Sequence, residues 1–223
     1  VRQAPAALKL AAAELRYLLA RGYPREASLE LVGNRHVLSA SERDMLRRAV
    51  VAPQRAEARR ARLLSPGEVA GRPLAVDGHN QLLTLESALK GLTLLDADDG
   101  LVRDISRAAV DYSLDDVSRQ ALGLLLEAVR LAHPSTTLLL FDAPVSHSGE
   151  LASLAREAMA ALNLPGEART SPYPETELEA HSGPVATADG PLADACAEVV
   201  DLAGAIIRER FGHLLIDLGE AAA

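Results

Sequence analysis

The chain has 223 residues, 48% hydrophobic and 24% charged, enough to bury a real core and too apolar for a disordered chain. Its single cysteine, Cys196, excludes an internal disulfide, and no apolar run reaches the length of about 18 residues that a membrane span needs. The formal net charge of -8 hides an asymmetry: residues 1–72 carry 14 Lys and Arg against 7 Asp and Glu, leaving 9 against 24 in residues 73–223. A basic head therefore precedes an acidic body. That division suits a head that touches polyanion and a body that gathers carboxylates for another reason, such as metal ions. Two solvated surfaces of opposite sign docked on each other fit it equally well. A reducing, cytoplasmic setting is expected, with Cys196 read as a small buried hydrophobe.

Residues 1–23 are amphipathic and fairly basic, but Glu14 and the lack of a cleavage-site pattern argue against a targeting peptide. The segment APAALKLAAAELRYLLARG has apolar residues at helical spacing and stops at Gly22. Pro24 then opens PREASLELVG at its first turn, and Gly33 closes it. Ser39 or Ser41 caps SASERDMLRRAVV, with Glu42 in the opening turn, and Pro53 ends that helix or begins PQRAEARRARLL. The helices around GNRHVL have roughly helix-turn-helix spacing, a weak signal that any helical bundle shares. In the fourth helix Arg55, Arg59 and Arg62, with Arg60 beside them, form a basic stripe, either a wet face or a surface for phosphate.

The segment SPGEVAGRP, residues 65–73, divides a helical region, 1–65, from a body, 73–223. In the body short apolar strands alternate with helices: PLAVD, TTLLLFD, EARTSPY, GPVATAD and HLLIDL are the strands. LDDVSRQALGLLLEAVRLA, GELASLAREAMAALN and PLADACAEVVDLAGAIIRERFG read as helices. This order predicts an α/β domain with a mainly parallel central sheet covered on both faces.

Three of these strands end on aspartate: Asp77 in AVDGHN, Asp142 in LLFDAP and Asp189 in ATADGP. The carboxyl ends of neighbouring parallel strands open into one crevice, so the three converge if their strands are neighbours. Converging carboxylates raise one another's pKa values unless a cation lies among them, and hard oxygen ligands select Mg2+ or Mn2+ over zinc. Taken singly, an Asp before Gly or near Pro is ordinary turn chemistry. The threefold recurrence favours a site.

The stretch VDGHNQLL resembles the opening strand of PIN-like nucleases of the NYN branch, where a strand-end Asp followed three residues later by Asn begins the metal site. VATADGPLADAC is similar to that superfamily's late motif, a Thr-x-Asp at a strand end followed by a helix with further acids, and LLFDAP to its middle acidic strand. The resemblance covers roughly residues 73–217. It implies a three-layer PIN-like domain and a metal-dependent ribonuclease, with Asp77, Asp142 and Asp189 as ligands and Asp194 in support. The helix acid that the family places between the first and middle strands stays open among Glu86, Asp98, Asp99 and Asp104. Head and body together also resemble a prokaryotic family of unknown function, through LRYLLARGYPREASLELVGNRH ahead of VDGHN.

Other chemistry is thinner. His79 and Asn80 sit inside the first motif, suited to orienting groups around Asp77, whereas His147 lies further from its aspartate in sequence. PVSHSGE lacks a nucleophile elbow, so Ser148 reads as the cap of the helix near Gly149. No Walker loop or dinucleotide fingerprint is present. Only six aromatic residues occur, with Tyr17 and Tyr23 flanking Arg21, so contacts to a nucleic acid would be made mainly to its backbone. The expected protein is a divalent-metal-dependent nuclease with RNA as favoured substrate, placed by Arg55, Arg59, Arg60 and Arg62; no membrane is involved and a homodimer stays open. The alternative is a non-catalytic module that binds nucleic acid or protein around a degenerate or structural metal site.

Overall fold

The structure, a computed structural model, describes residues 2–105 and 112–219. The chain opens with a short strand β1 (Arg2–Gln3) and four helices, α1 (Ala6–Ala20), α2 (Arg25–Arg35), α3 (Ala40–Ala49) and α4 (Pro53–Arg60). In α1 the buried Leu8, Ala11, Ala12, Leu15 and Leu19 recur at helical spacing and form one inward stripe. Helix α3 begins with a capping box, in which Ser39 and Glu42 satisfy each other's backbone N–H groups, and Pro53 takes the first position of α4. Gly33 does not end α2. It lies inside the helix, with the Arg43 guanidinium packed over it.

Strand β2 (Leu63–Leu64), a 3-10 turn, β3 (Pro73–Asp77), α5 (Gly78–Leu89), β4 (Leu94–Asp96) and β5 (Val102–Asp104) follow. Next come α6 (Asp116–Ala132), β6 (Thr136–Asp142), α7 (Ser148–Ala161), β7 (Gly166–Ser171) and α8 (Pro174–Glu179). The chain then runs through β8 (Val185–Ala186), α9 (Gly190–Ala195), β9 (Val199–Val200), α10 (Leu202–Arg210) and β10 (Leu215–Asp217). The expected single long helix over PLADACAEVVDLAGAIIRERFG is thus two helices around a strand. The cap expected of Ser148 is also corrected: His147, in the left-handed conformation, precedes the helix, and the Ser148 hydroxyl turns back to the Ala143 carbonyl.

Six strands make an entirely parallel sheet in the order β2-β9-β8-β3-β6-β7. Side chains alternate across it, as a strand's period of two requires: Leu74 and Val76 of β3 enter one core with α5, α6, α7 and α10, while Ala75 enters another with α8 and α9. The result is a three-layer α/β body, as read from the sequence. A second sheet, β1-β10-β4-β5, has one antiparallel pair, β4 with β5. HLLIDL belongs to this sheet and not to the main one. Leu95 and Ala97 from this part of the body share a core with Leu8, Leu15 and Leu46 of the helical head. Head and body therefore pack as one structure. No described helix is long and apolar enough to cross a membrane.

Candidate functional site

The register of the main sheet decides where the strand-end acids meet. Strand β3 lies between β8 and β6, with Asp77 opposite Leu140 and Val76 opposite Ala186, so Asp77, Asp142 and Asp189 leave three adjacent strands at the same edge. They line one cleft of about 320 Å³ with His79, Asn80, Tyr112 and Glu175. Leu83, Val145 and Leu192 supply its apolar wall.

Each polar residue after β3 has a structural task that explains why the strand ends as it does. Asp77 caps α5 by accepting from the Asn80 N–H at 3.4 Å. Gly78 is required because a Cβ would meet the Phe141 ring at 2.5 Å and the Leu140 carbonyl at 2.6 Å. His79, buried between Tyr112 and Phe141, holds Nδ1 2.9 Å from both the backbone nitrogen and Oδ2 of Asp142. Nδ1 serves one of these bonds at a time: unprotonated it accepts from the Asp142 N–H, and protonated it donates to Asp142 Oδ2. The ring's Nε2 is buried without a hydrogen-bond partner among the described residues. Asn80 Oδ1 accepts from the Ala188 N–H at 2.7 Å and so ties α5 to the end of β8.

Thr187 completes the arrangement. Its hydroxyl donates to Asp77 Oδ2 at 2.9 Å and accepts from the Asp189 N–H at 3.1 Å, joining two of the acids through one side chain. Asp189 gives Oδ2 to the Leu192 N–H as the cap of α9, and Asp142 gives Oδ2 to His79; neither bond occupies the other carboxylate oxygen. Burial pushes the Asp77 carboxyl up to about 7 against the opposing bonds from Thr187 and Asn80, and the charges of Asp142 and Asp189 push it the same way.

A metal was tested against this donor set. Among the described residues no three His, Cys, Asp or Glu side chains are close enough to enclose an ion by themselves. The cleft nevertheless gathers four carboxylates, those of Asp77, Asp142, Asp189 and the rim residue Glu175, with no Lys or Arg among the described residues of its lining. Hard oxygens with uncompensated charge fit an ion such as Mg2+, which keeps several waters and takes only one or two carboxylates.

The remaining expected residues lie elsewhere, and three are corrections. Asp194 is gripped by Arg59 through two bonds of 2.7 Å, which hold its carboxyl below the usual range, so it does not support the cleft. Arg59 is not an open substrate-binding group: it is buried and also bonds Asp99 at 2.7 Å. Arg62 donates to the Asp194 carbonyl at 2.6 Å and closes the end of α9. Arg55 and Arg60 are exposed, Arg60 reaching the Asp98 carbonyl. None of the four acids left open lines the cleft: Asp98 binds Arg16, Asp99 binds Arg59 and Arg103, and Asp104 stands 3.7 Å from Arg48. Glu86 comes nearest through Tyr112, whose hydroxyl donates to it at 2.6 Å. Glu86 is buried, not solvent-facing.

Tyr112 and Glu175 were not legible as site residues. Both lie outside the recurring strand-end pattern, and only the tertiary fold carries them to the cleft. His147 is exposed and pairs with Glu150, away from the acids.

Residues 66–205, the body with its cleft, match the family described as Domain of unknown function (DUF5616), and residues 7–62, the helical head, match Protein of unknown function (DUF434). An uncharacterized protein of Methanocaldococcus jannaschii is 31% identical over 154 residues, which cover 69% of this chain and 74% of that protein. No solved structure matches the chain.

Proposed function

The chain belongs to the DUF5616 family, and for it we propose a divalent-metal-dependent nuclease, with RNA the favoured substrate, acting at the aspartate cleft. One observation carries the reading: three acids from three adjacent parallel strands face a cleft whose lining, among the described residues, has no Lys or Arg, and one of them is held at a raised pKa of about 7. Strand-end acids gathered at a carboxyl edge are where α/β sheets place ligands. The resemblance of VDGHN and VATADGP to the PIN-like, NYN-type motifs points the same way.

Asp77, Asp142 and Asp189 are the residues that would hold Mg2+ or Mn2+, whose chemistry at such a site is to activate water and neutralise charge on a phosphodiester. The other side chains position them. Thr187 fixes Asp77 relative to Asp189, Asn80 holds the backbone that presents Asp189, and His79 fixes Asp142. Tyr112, bonded to buried Glu86, walls one side of the cleft. Cys196 takes no part: burial raises its thiol to about 11, in keeping with an inert cysteine in a reducing cytoplasm.

A non-catalytic binding module is the second reading, favoured by the wide spacing of the acids and by the capping duties of Asp77 and Asp189. Cleavage of labelled RNA and DNA in Mn2+ separates the two. The nuclease reading expects RNA cleavage by the wild type and by Asp194→Asn, and none by folded Asp77→Asn or Asp189→Asn. Equal cleavage by all four proteins, or by none, contradicts it.

A further inference from the structure

Beside the acidic cleft lies a groove of opposite character. It has a volume of about 550 Å³ and runs between the helical head and the body, lined by Arg25, Arg47, Arg48, Arg55, Arg59 and Arg103. Its lining holds one carboxylate, Asp189, the residue that also lines the cleft. Among the described residues the groove and the aspartate site therefore meet at Asp189.

The arginines differ in how far their charge is already balanced. Arg59 and Arg103 share buried Asp99, and Arg47 pairs with Asp44 and Glu26. Arg25 donates only to backbone, to the carbonyls of Arg47 and Val50, and meets no carboxylate at ion-pair distance among the described residues. Burial lowers its pKa; Glu26 pulls it back up, and the charges of Arg103, Arg55 and Arg59 lower it in turn, each by less. Arg55 is exposed and stands 3.8 Å from Asp194, which Arg59 already holds through two bonds. Cations crowded to this degree call for an anion from outside the chain. Tyr23, more than half exposed, adds an aromatic face at the wall of the same groove.

We propose that this groove seats the phosphate backbone of a single nucleic-acid strand and leads it to the cleft at Asp189. Guanidinium forks suit successive phosphates, and an open ring at the edge suits an unstacked base. An acidic peptide is the poorer fit, because its side-chain carboxylates would be carried on into a cleft that is itself acidic. The inference rests on the nuclease reading for the strand's destination and not for its binding.

The test is the affinity for a fluorescein-labelled single-stranded oligoribonucleotide, measured by anisotropy in EDTA over a series of salt concentrations. Arg55→Ala is expected to weaken binding about five- to tenfold and to reduce the slope of log Kd against log salt by about one. Arg210→Ala, exposed on α10 and outside the groove, is expected to change neither. Polyglutamate is expected not to displace the RNA. Equal losses in both variants, an unchanged salt slope in Arg55→Ala, or displacement by polyglutamate would each overturn the proposal. Binding that depends on Arg55 without any cleavage would sink the nuclease reading alone. Cleavage with binding indifferent to Arg55 would sink the groove alone.

Discussion

Asp77 and Asp99 are acids of the same body, yet what faces them is opposite. Asp99 is wholly buried at the junction of head and body, where hydrogen bonds and charge from Arg103 and Arg59 outweigh its burial and hold its carboxyl below the ordinary value. Asp77 lies where the nearby charges are those of Asp142 and Asp189, and burial raises it to about 7. The same residue type therefore serves to lock two regions together in one place and is left wanting a cation in the other. An acid without its own base marks a site far better than acidity does.

Removing a lock should cost most. Asp99→Ala takes the buried shared carboxylate from Arg59, which keeps Asp194, and from Arg103, which among the described residues keeps only backbone carbonyls, and urea denaturation should show a loss of about 3 kcal/mol. Asp194→Ala, which frees a partly exposed partner of Arg59, should cost about 1 kcal/mol and leave any response to Mn2+ intact. Asp189→Asn should change stability by no more than about 0.5 kcal/mol, because Asn caps a helix as well as Asp does, while abolishing the rise in Tm that the proposal expects of the wild type in Mn2+. A large loss in Asp189→Asn would erase the contrast between lock and cleft.

The two regions should also answer pH with opposite sign. Asp99 and Asp194 have lowered folded values, so their contribution is complete above the unfolded value of about 4 and fades as pH falls below it. Asp77 has a raised folded value, so without metal its folded state binds the extra proton, and stability declines as pH rises from about 4 through about 7. Asp77→Asn should lessen that decline, leaving the share of buried Asp201, whose folded value is also raised by burial, and leave the acid loss unchanged. Urea melts across this range check both slopes.

The cleft was legible because its signals are local. A strand of period two, an aspartate cap and a glycine beneath Phe141 all lie within a few residues of one another, and parallel order brings their ends together. The basic stripe was not. Arg55 and Arg59 sit one helical turn apart, and nothing in that spacing tells which meets Asp99 and Asp194 from far along the chain. The two-residue strand Val199–Val200 was hidden for a like reason: its apolar pair continues a helical repeat, and its partner Leu63–Leu64 belongs to the end of the head. The burial of Glu86 was hidden because its partner Tyr112 lies 26 residues further along the chain.

The central claim is that the acids of the cleft share a cation, and isothermal titration with Mn2+ tests it without assuming a substrate. Binding by the wild type and by Asp194→Asn, lost in Asp77→Asn and in Asp189→Asn, is the predicted result. Heat that persists unchanged in those two variants, or that vanishes only in Asp194→Asn, would contradict it.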